Sequence, residues 1–298
     1  MTEPRVIETH QLTKRFGRFT AVEALDLYVR ANQITGFLGR NGAGKSTTIK
    51  MLLGMTHPTS GTGMLLGRPL DDPRANLEAR HHIAYVGEDK QLYAYMTVNE
   101  VIRFTSSFYA DWKPELAQKF LAEYQLPPKR KVRALSKGMR TKLALLLALS
   151  RRPALLILDE PSEGLDPVAI EELLQSLVAA AAQGTTIFFS SHQIAEVERI
   201  ADRVCIVDHG TLVDDFSLDE LRQEYRRITL GFAAQPPSGE FRLAGVKRVH
   251  RGDRQLSVVS SDNVDAIVAQ GRSMHAVSVD VTPISLRELF LESVKPES

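Results

Sequence analysis

The sequence predicts an α/β protein: a parallel sheet core, an antiparallel β-subdomain before it, a helical insertion within it and a small α+β domain after it. Three observations predict this. Strand and helix alternate through Leu155–Asp159, Ala169–Ala182, Thr185–Ser190 and Gln193–Ile200, the order that buries a parallel sheet between helices. Asn32–Leu38 is a short apolar strand that runs into a glycine-rich turn and then a helix, Thr47–Leu53, closed by Gly54. Between Thr97 and Leu149 the apolar residues recur with helical periodicity only.

In chain order, Ile7–Leu12 and Val22–Val29 read as strands of the antiparallel sheet, with Thr13–Phe19 as the turn between them. Pro58, Ser60 and Gly61 break the chain before a strand at Gly63–Leu66, and Ile83–Val86 is a further strand. The insertion, about residues 88–150, holds helices at Val98–Tyr109, Pro114–Tyr124 and Gly138–Leu149. A hairpin at Val204–Val213 closes the core, and Leu218–Tyr225 is a connecting helix. Past Pro236-Pro237-Ser238-Gly239 the segments shorten: strands at Phe241–Val249, Gln255–Ser260 and Ala276–Val281, helices at Val264–Gln270 and Leu286–Val294. The expected partition is therefore residues 1–225 and 226–298.

Composition narrows the function classes. With 43% apolar and 24% charged residues, the 298-residue chain suits a soluble globular protein of one large and one small domain. No apolar run is long enough to span a bilayer, and the N-terminus lacks signal-peptide architecture. A net charge of +1 argues against a general nucleic-acid binder. The lone cysteine, Cys205, lies in an apolar strand and reads as a small core residue of a reducing compartment.

Two motifs carry the chemistry. Gly39-Arg40-Asn41-Gly42-Ala43-Gly44-Lys45-Ser46-Thr47 fits the phosphate-binding loop G-x-x-x-x-G-K-[ST]. A triphosphate needs donors and positive potential without bulky side chains in the way. Gly39, Gly42 and Gly44 let backbone N–H groups turn inward, and the following helix adds its positive end. Asn41, Ala43 and Thr47 complete the cradle. Lys45 is expected to reach the β- and γ-phosphates, and Ser46 to hold Mg²⁺. The second motif, Leu155–Glu160, is an apolar strand with carboxylates at its C-terminal end, where ligands bind in open α/β sheets. Asp159 is the expected Mg²⁺ partner. Glu160, expected on the opposite face of the strand, is the candidate base for an attacking water. Together they predict a P-loop nucleoside triphosphatase that uses Mg²⁺.

Between these motifs, Leu135-Ser136-Lys137-Gly138-Met139 at a helix start resembles the signature sequence, usually LSGGQ, of ABC-transporter ATP-binding subunits. Phe16 occupies the place of the adenine-stacking aromatic. Ser162-Glu163-Gly164-Leu165-Asp166 resembles the D-loop, and Ser190-Ser191-His192 the switch segment whose His contacts the γ-phosphate. The resemblance covers residues 5–225. It implies that two subunits pack head to tail around two ATP molecules, with Ser136, Gly138 and Asp166 facing the nucleotide bound by the partner. It also implies a transmembrane permease subunit docked near the apolar loop Leu92–Met96, and a place on the inner face of the cell membrane. The C-terminal run Pro283–Phe290 resembles the tail of bacterial exporter-type subunits, which implies export.

Two positions depart from the pattern. Glu88 stands where the family usually has Gln, and is expected to accept from the water or reach Mg²⁺, alongside Lys45, Glu160 and His192 in catalysis. Met139 replaces the last Gln of the signature. The basic run Lys129–Arg133, continuing to Lys137, Arg140 and Lys142, is either a solvated face or potential directed at ATP or anionic lipid. The alternative function, a soluble ABC ATPase of translation or DNA repair, would call for tandem ATPase halves or a long coiled-coil insertion.

Overall fold

A computed structural model describes residues 4–237, 241 and 243–294. By contact density the chain divides into two compact units, Met1–Val213 and Asp214–Ser298. The cut at 225/226 follows the extent of the motifs instead.

The first unit opens with β1 (Arg5–Phe16), β2 (Phe19–Leu25), β3 (Tyr28–Arg30), β4 (Ile34–Gly39) and α1 (Lys45–Leu52), then β5 (Ser60–Leu65), β6 (Arg68–Pro69), α2 (Pro73–Arg80) and β7 (Ile83–Val86). Strands β2, β1, β5 and β6 form a sheet in that order, with β3 also paired to β1. The expected turn at Thr13–Phe19 is shorter than foreseen. Thr13–Phe16 continue β1, and only Gly17 and Arg18 separate Phe16 from its cross-strand partner Phe19. Gly17, at φ 59°, supplies the positive φ that a two-residue hairpin turn requires. Helix α2 was not foreseen, although its start is explicit: Asp72 accepts from the N–H groups of Arg74 and Ala75, and Pro73 follows it.

The insertion contains α3 (Val98–Ser106), α4 (Pro114–Glu123), a 3₁₀ turn at Val132–Ala134 and α5 (Lys137–Leu149). Thr97 and Glu100 close a capping box on α3. Arg151 fastens the insertion to the core: its guanidinium donates to the Ile83 carbonyl at 3.0 Å and to that of His81, and lies 3.8 Å from the Tyr109 ring centre.

The core sheet continues through β8 (Leu155–Asp159), α6 (Pro167–Ala182), β9 (Thr186–Ser191), α7 (Ile194–Ile200), β10 (Arg203–Asp208) and β11 (Thr211–Ser217). Its order is β11-β10-β4-β9-β8-β7, and β10, β4, β9, β8 and β7 run parallel. Every residue of β4, β8 and β9 is buried, as expected of strands covered on both faces. Cys205 is buried in β10. Helix α7 presses close to β4, where a Cβ at Gly36 would lie 2.6 Å from Val197 Cγ1. Gly36→Ala is therefore expected to cost about 1–3 kcal/mol, read as a lowered urea midpoint with an unchanged slope. An unchanged midpoint would contradict that packing.

The second unit contains α8 (Leu218–Gln223), β12 (Arg226–Gly231), β13 (Val246–Arg251), β14 (Gln255–Ser260), α9 (Val264–Ser273), β15 (Ser278–Pro283) and α10 (Leu286–Ser293). Its antiparallel sheet has the order β13-β14-β12-β15. The central strand β12 went unforeseen, although its alternate residues Ile228 and Leu230 are fully buried in this unit's core. The strand expected at Phe241–Val249 begins only at Val246, because Gly245, at φ 86°, still belongs to a turn. Ser238 and Gly239 of the expected breaker, Arg242 of that expected strand, and residues 1–3 of the N-terminus lie outside the described residues. Among the described residues no helix is long and apolar enough to cross a membrane.

Candidate functional site

The phosphate-loop residues lie where β4 ends and α1 begins. Asn41 and Gly42 are exposed, Ala43 is buried, and Thr47 is half-buried on α1. Gly44 is the N-cap of α1 at φ 98°, and a Cβ there would meet the Ala21 carbonyl at 2.5 Å, so sterics and backbone both demand glycine. Lys45 is only 5% exposed. Its ammonium donates to the carbonyls of Gly39 at 2.8 Å and Arg40 at 3.2 Å, and lies 2.9 Å from Glu160 Oε1. That last contact is electrostatic rather than an aligned hydrogen bond, since Oε1 has no hydrogen-bond partner.

Strand alternation would set Asp159 and Glu160 on opposite faces. Instead Glu160 adopts φ 44°, which ends β8 and turns both carboxylates toward the loop. Asp159 Oδ1 accepts from Ser46 Oγ at 3.1 Å, while Glu160 meets Lys45. Consecutive residues of α1 thus face consecutive residues of the strand end. A hydroxyl and a carboxylate converging so closely form an all-oxygen donor set, which fits a hard divalent cation such as Mg²⁺. Glu88 is exposed and shares with Ser46 and Asp159 one cleft of about 700 Å³. Tyr85 lines the same cleft, its hydroxyl pKa pushed up to about 12 by burial and then by the Asp159 charge.

His192 follows β9 and meets Glu160: Nδ1 lies 2.9 Å from Oε2. An ionised carboxylate can only accept, so Nδ1 carries the proton and Nε2 is turned away toward Glu163, at 3.8 Å. Glu160, Glu163 and His192 could be mistaken for a metal cluster, but the Lys45 ammonium beside Glu160 opposes a cation there.

The remaining predicted residues stand apart from this cluster or cap helices. Phe16 is half exposed at the tip of the β1–β2 hairpin, with Lys14 Nζ 5.0 Å from its ring centre. Ser136 caps α5, accepting from Met139 N at 3.1 Å, and Asp166 caps α6, accepting from Val168 and Ala169 N–H groups. Gly138 packs near the start of α6, where an added Cβ would lie 3.2 Å from Ala169 Cβ.

This architecture has clear relatives. The family described as ABC transporter matches residues 22–163. A bacitracin transport ATP-binding protein of Enterococcus faecalis is 37% identical over 227 residues, 75% of this chain and 73% of that protein. The chain belongs to the ABC transporter ATP-binding family. A Nod factor export ATP-binding protein I of Cupriavidus metallidurans is likewise 37% identical over 224 residues, 72% of each chain. A solved structure of an ATP binding subunit of an ABC transporter superposes with a TM-score of 0.66 at 30% identity, covering 73% of this chain and 92% of that one. Like other members of the family, this ATP-binding subunit is an ATPase.

Within the ATP-binding subunit, several polar residues around the carboxylates have contacts that the sequence motifs alone do not assign. Ser190 and Ser191, adjacent on β9, face opposite sides. Ser190 Oγ donates to Asp159 at 2.7 Å and accepts from Glu160 N at 2.9 Å. Ser191 and Ser162 both donate to Glu196 Oε2, at 3.1 and 2.7 Å. Burial nonetheless raises the Glu196 pKa, against the lowering effect of those two hydroxyls. Lys90, 9% exposed, donates to the Pro161 carbonyl at 2.9 Å, and burial followed by the Lys137 charge lowers its pKa to about 8. Two adjacent serines before the switch histidine were the available signal for the first network. Nothing local announced Lys90.

Proposed function

We propose that this chain is the ATP-hydrolysing subunit of an ABC exporter, acting in head-to-tail pairs beside a separate transmembrane permease. The observation that carries the reading is Glu160, held between Lys45 and His192 at 2.9 Å each. In this reading the Lys45 ammonium moves from its carbonyl partners to the β- and γ-phosphates, and the phosphate-loop N–H groups and Thr47 hold the rest of the triphosphate. Phe16 stacks on adenine. Ser46 and Asp159, with Glu88 nearby, hold Mg²⁺, which when bound neutralises phosphate charge. Glu160 takes a proton from water as the water oxygen bonds to the γ-phosphorus. The bond from that phosphorus to the β–γ bridging oxygen breaks, releasing ADP and phosphate. His192, held by Glu160 through Nδ1, is assigned to the neighbourhood of the γ-phosphate.

Ser136, Gly138 and Asp166 are assigned to the ATP held by the partner copy. ATP then acts as interface glue, and loss of its γ-phosphate releases the pair. Ser136→Ala is expected to leave ATP binding to the monomer intact and to raise the ATP concentration needed for dimerisation. Sedimentation against ATP concentration reads this, and an unchanged profile would refute the contact across the pair. Export is favoured by relatives named for bacitracin transport and Nod factor export, together with the exporter-like run Pro283–Phe290. The direct test is gentle solubilisation of native membranes and recovery of the full chain carrying Glu160→Gln with ATP. A polytopic membrane protein in stoichiometric amount supports the transporter reading. Ribosomal or DNA-repair proteins instead would favour the soluble ABC class.

A further inference from the structure

We propose that Lys90 is a positioning residue for hydrolysis: its bond to the Pro161 carbonyl fixes the turn that aims Glu160. The inference rests on the reading of Glu160 as the base. Glu160 is not glycine yet sits at φ 44°, a conformation that persists only when its surroundings over-determine it. Three side chains do so from three directions. Ser190 accepts from the Glu160 N–H at 2.9 Å, Glu196 accepts from Ser162 Oγ at 2.7 Å, and Lys90 donates to the carbonyl between them at 2.9 Å. The turn itself is closed by Glu163 N donating to the Glu160 carbonyl at 3.2 Å.

Two of these anchors come from the switch strand β9 and its following helix α7. Lys90 alone among the three comes from the other side, the loop that leaves β7. It too is held at positive φ, 37°, by a turn in which its N–H donates to the Gly87 carbonyl. An ammonium donating to a carbonyl away from solvent is a charge-assisted bond, stronger and more directional than a neutral one. Removing it frees the Pro161–Ser162 peptide to rotate, and Glu160 is joined to that peptide through Pro161 alone. The carboxylate would keep its chemistry and lose its aim.

The test compares Lys90→Met, which keeps the apolar stem without the donor, with Lys90→Arg, which restores a charged donor. Both are made in the full chain, with rates normalised to the fraction that binds a slowly hydrolysed ATP analogue, so that partial unfolding cannot imitate the effect. Lys90→Met is expected to lower kcat about ten- to a hundredfold while KM for ATP stays within about twofold. Lys90→Arg is expected to recover most of that loss. A purely structural role would lower the unfolding midpoint and leave kcat per folded molecule unchanged, and that result overturns the proposal. So does an Arg variant as slow as the Met variant. Glu160→Gln, measured beside them, separates the two claims. If it turns over at the wild-type rate, the base assignment fails; if it is slow while Lys90→Met is unimpaired, only the positioning role fails.

Discussion

Glu160→Gln is expected to bind ATP as the wild-type chain does and to hydrolyse it about 10²–10⁴-fold more slowly. The amide matches the carboxylate in shape, so the turn, the Ser190 anchor on the backbone N–H and the His192 contact have no steric reason to change. What disappears is the ability to accept a proton and the negative charge 2.9 Å from Lys45. Freed of that partner, the ammonium is more available to phosphate, so affinity for ATP holds or rises. If hydrolysis is what separates the pair, the variant also accumulates as a dimer in ATP. Single-turnover phosphate release and size-exclusion chromatography read the two effects independently. A monomer with wild-type turnover removes Glu160 from the role of base, whereas slow turnover without a dimer leaves the base and refutes the interface.

How far the sequence announced this site depends on the range of the interactions involved. The phosphate loop is contiguous, and its glycine spacing, lysine and hydroxyl are all forced by one ligand, so it is legible from nine residues. The strands β4, β8 and β9 are equally plain because burial on both faces makes their interiors apolar apart from Thr35 and Ser190. Reading Glu160 as facing away from Asp159 applied strand alternation one residue too far. Around its positive φ stand Ser190, Glu196 and Lys90, groups brought together only by the fold. Lys90 shows the same limit more sharply: a lysine among Glu88, Asp89 and Gln91 reads as a surface charge until the tertiary structure buries it. Strand β12 was hidden differently. Its two leading arginines and terminal glycine outweighed the alternation of Ile228 and Leu230, and only pairing with β14 and β15 on both edges makes it the centre of a sheet.

Lys45→Ala is expected to abolish measurable ATP binding at concentrations that saturate the wild type. Truncating one member of a buried charge contact costs about 2–5 kcal/mol, or roughly thirty- to several-thousand-fold in affinity. Lys45 contributes on two counts. It supplies the one point charge that the loop's backbone donors cannot replace, and it offsets the Glu160 carboxylate, whose side chain is only 8% exposed. The second count predicts a separate loss of stability in the absence of nucleotide, because a buried carboxylate then loses the ammonium that offsets it and keeps the His192 hydrogen bond. Double substitution distinguishes the two. Adding Glu160→Gln to Lys45→Ala removes the uncompensated charge and is expected to restore the unfolding midpoint without restoring ATP binding. If affinity returns along with stability, Lys45 acts by holding the loop folded. If affinity stays lost while the midpoint recovers, the ammonium acts on the phosphates themselves. Nucleotide titration and thermal unfolding of the same four proteins decide between these mechanisms.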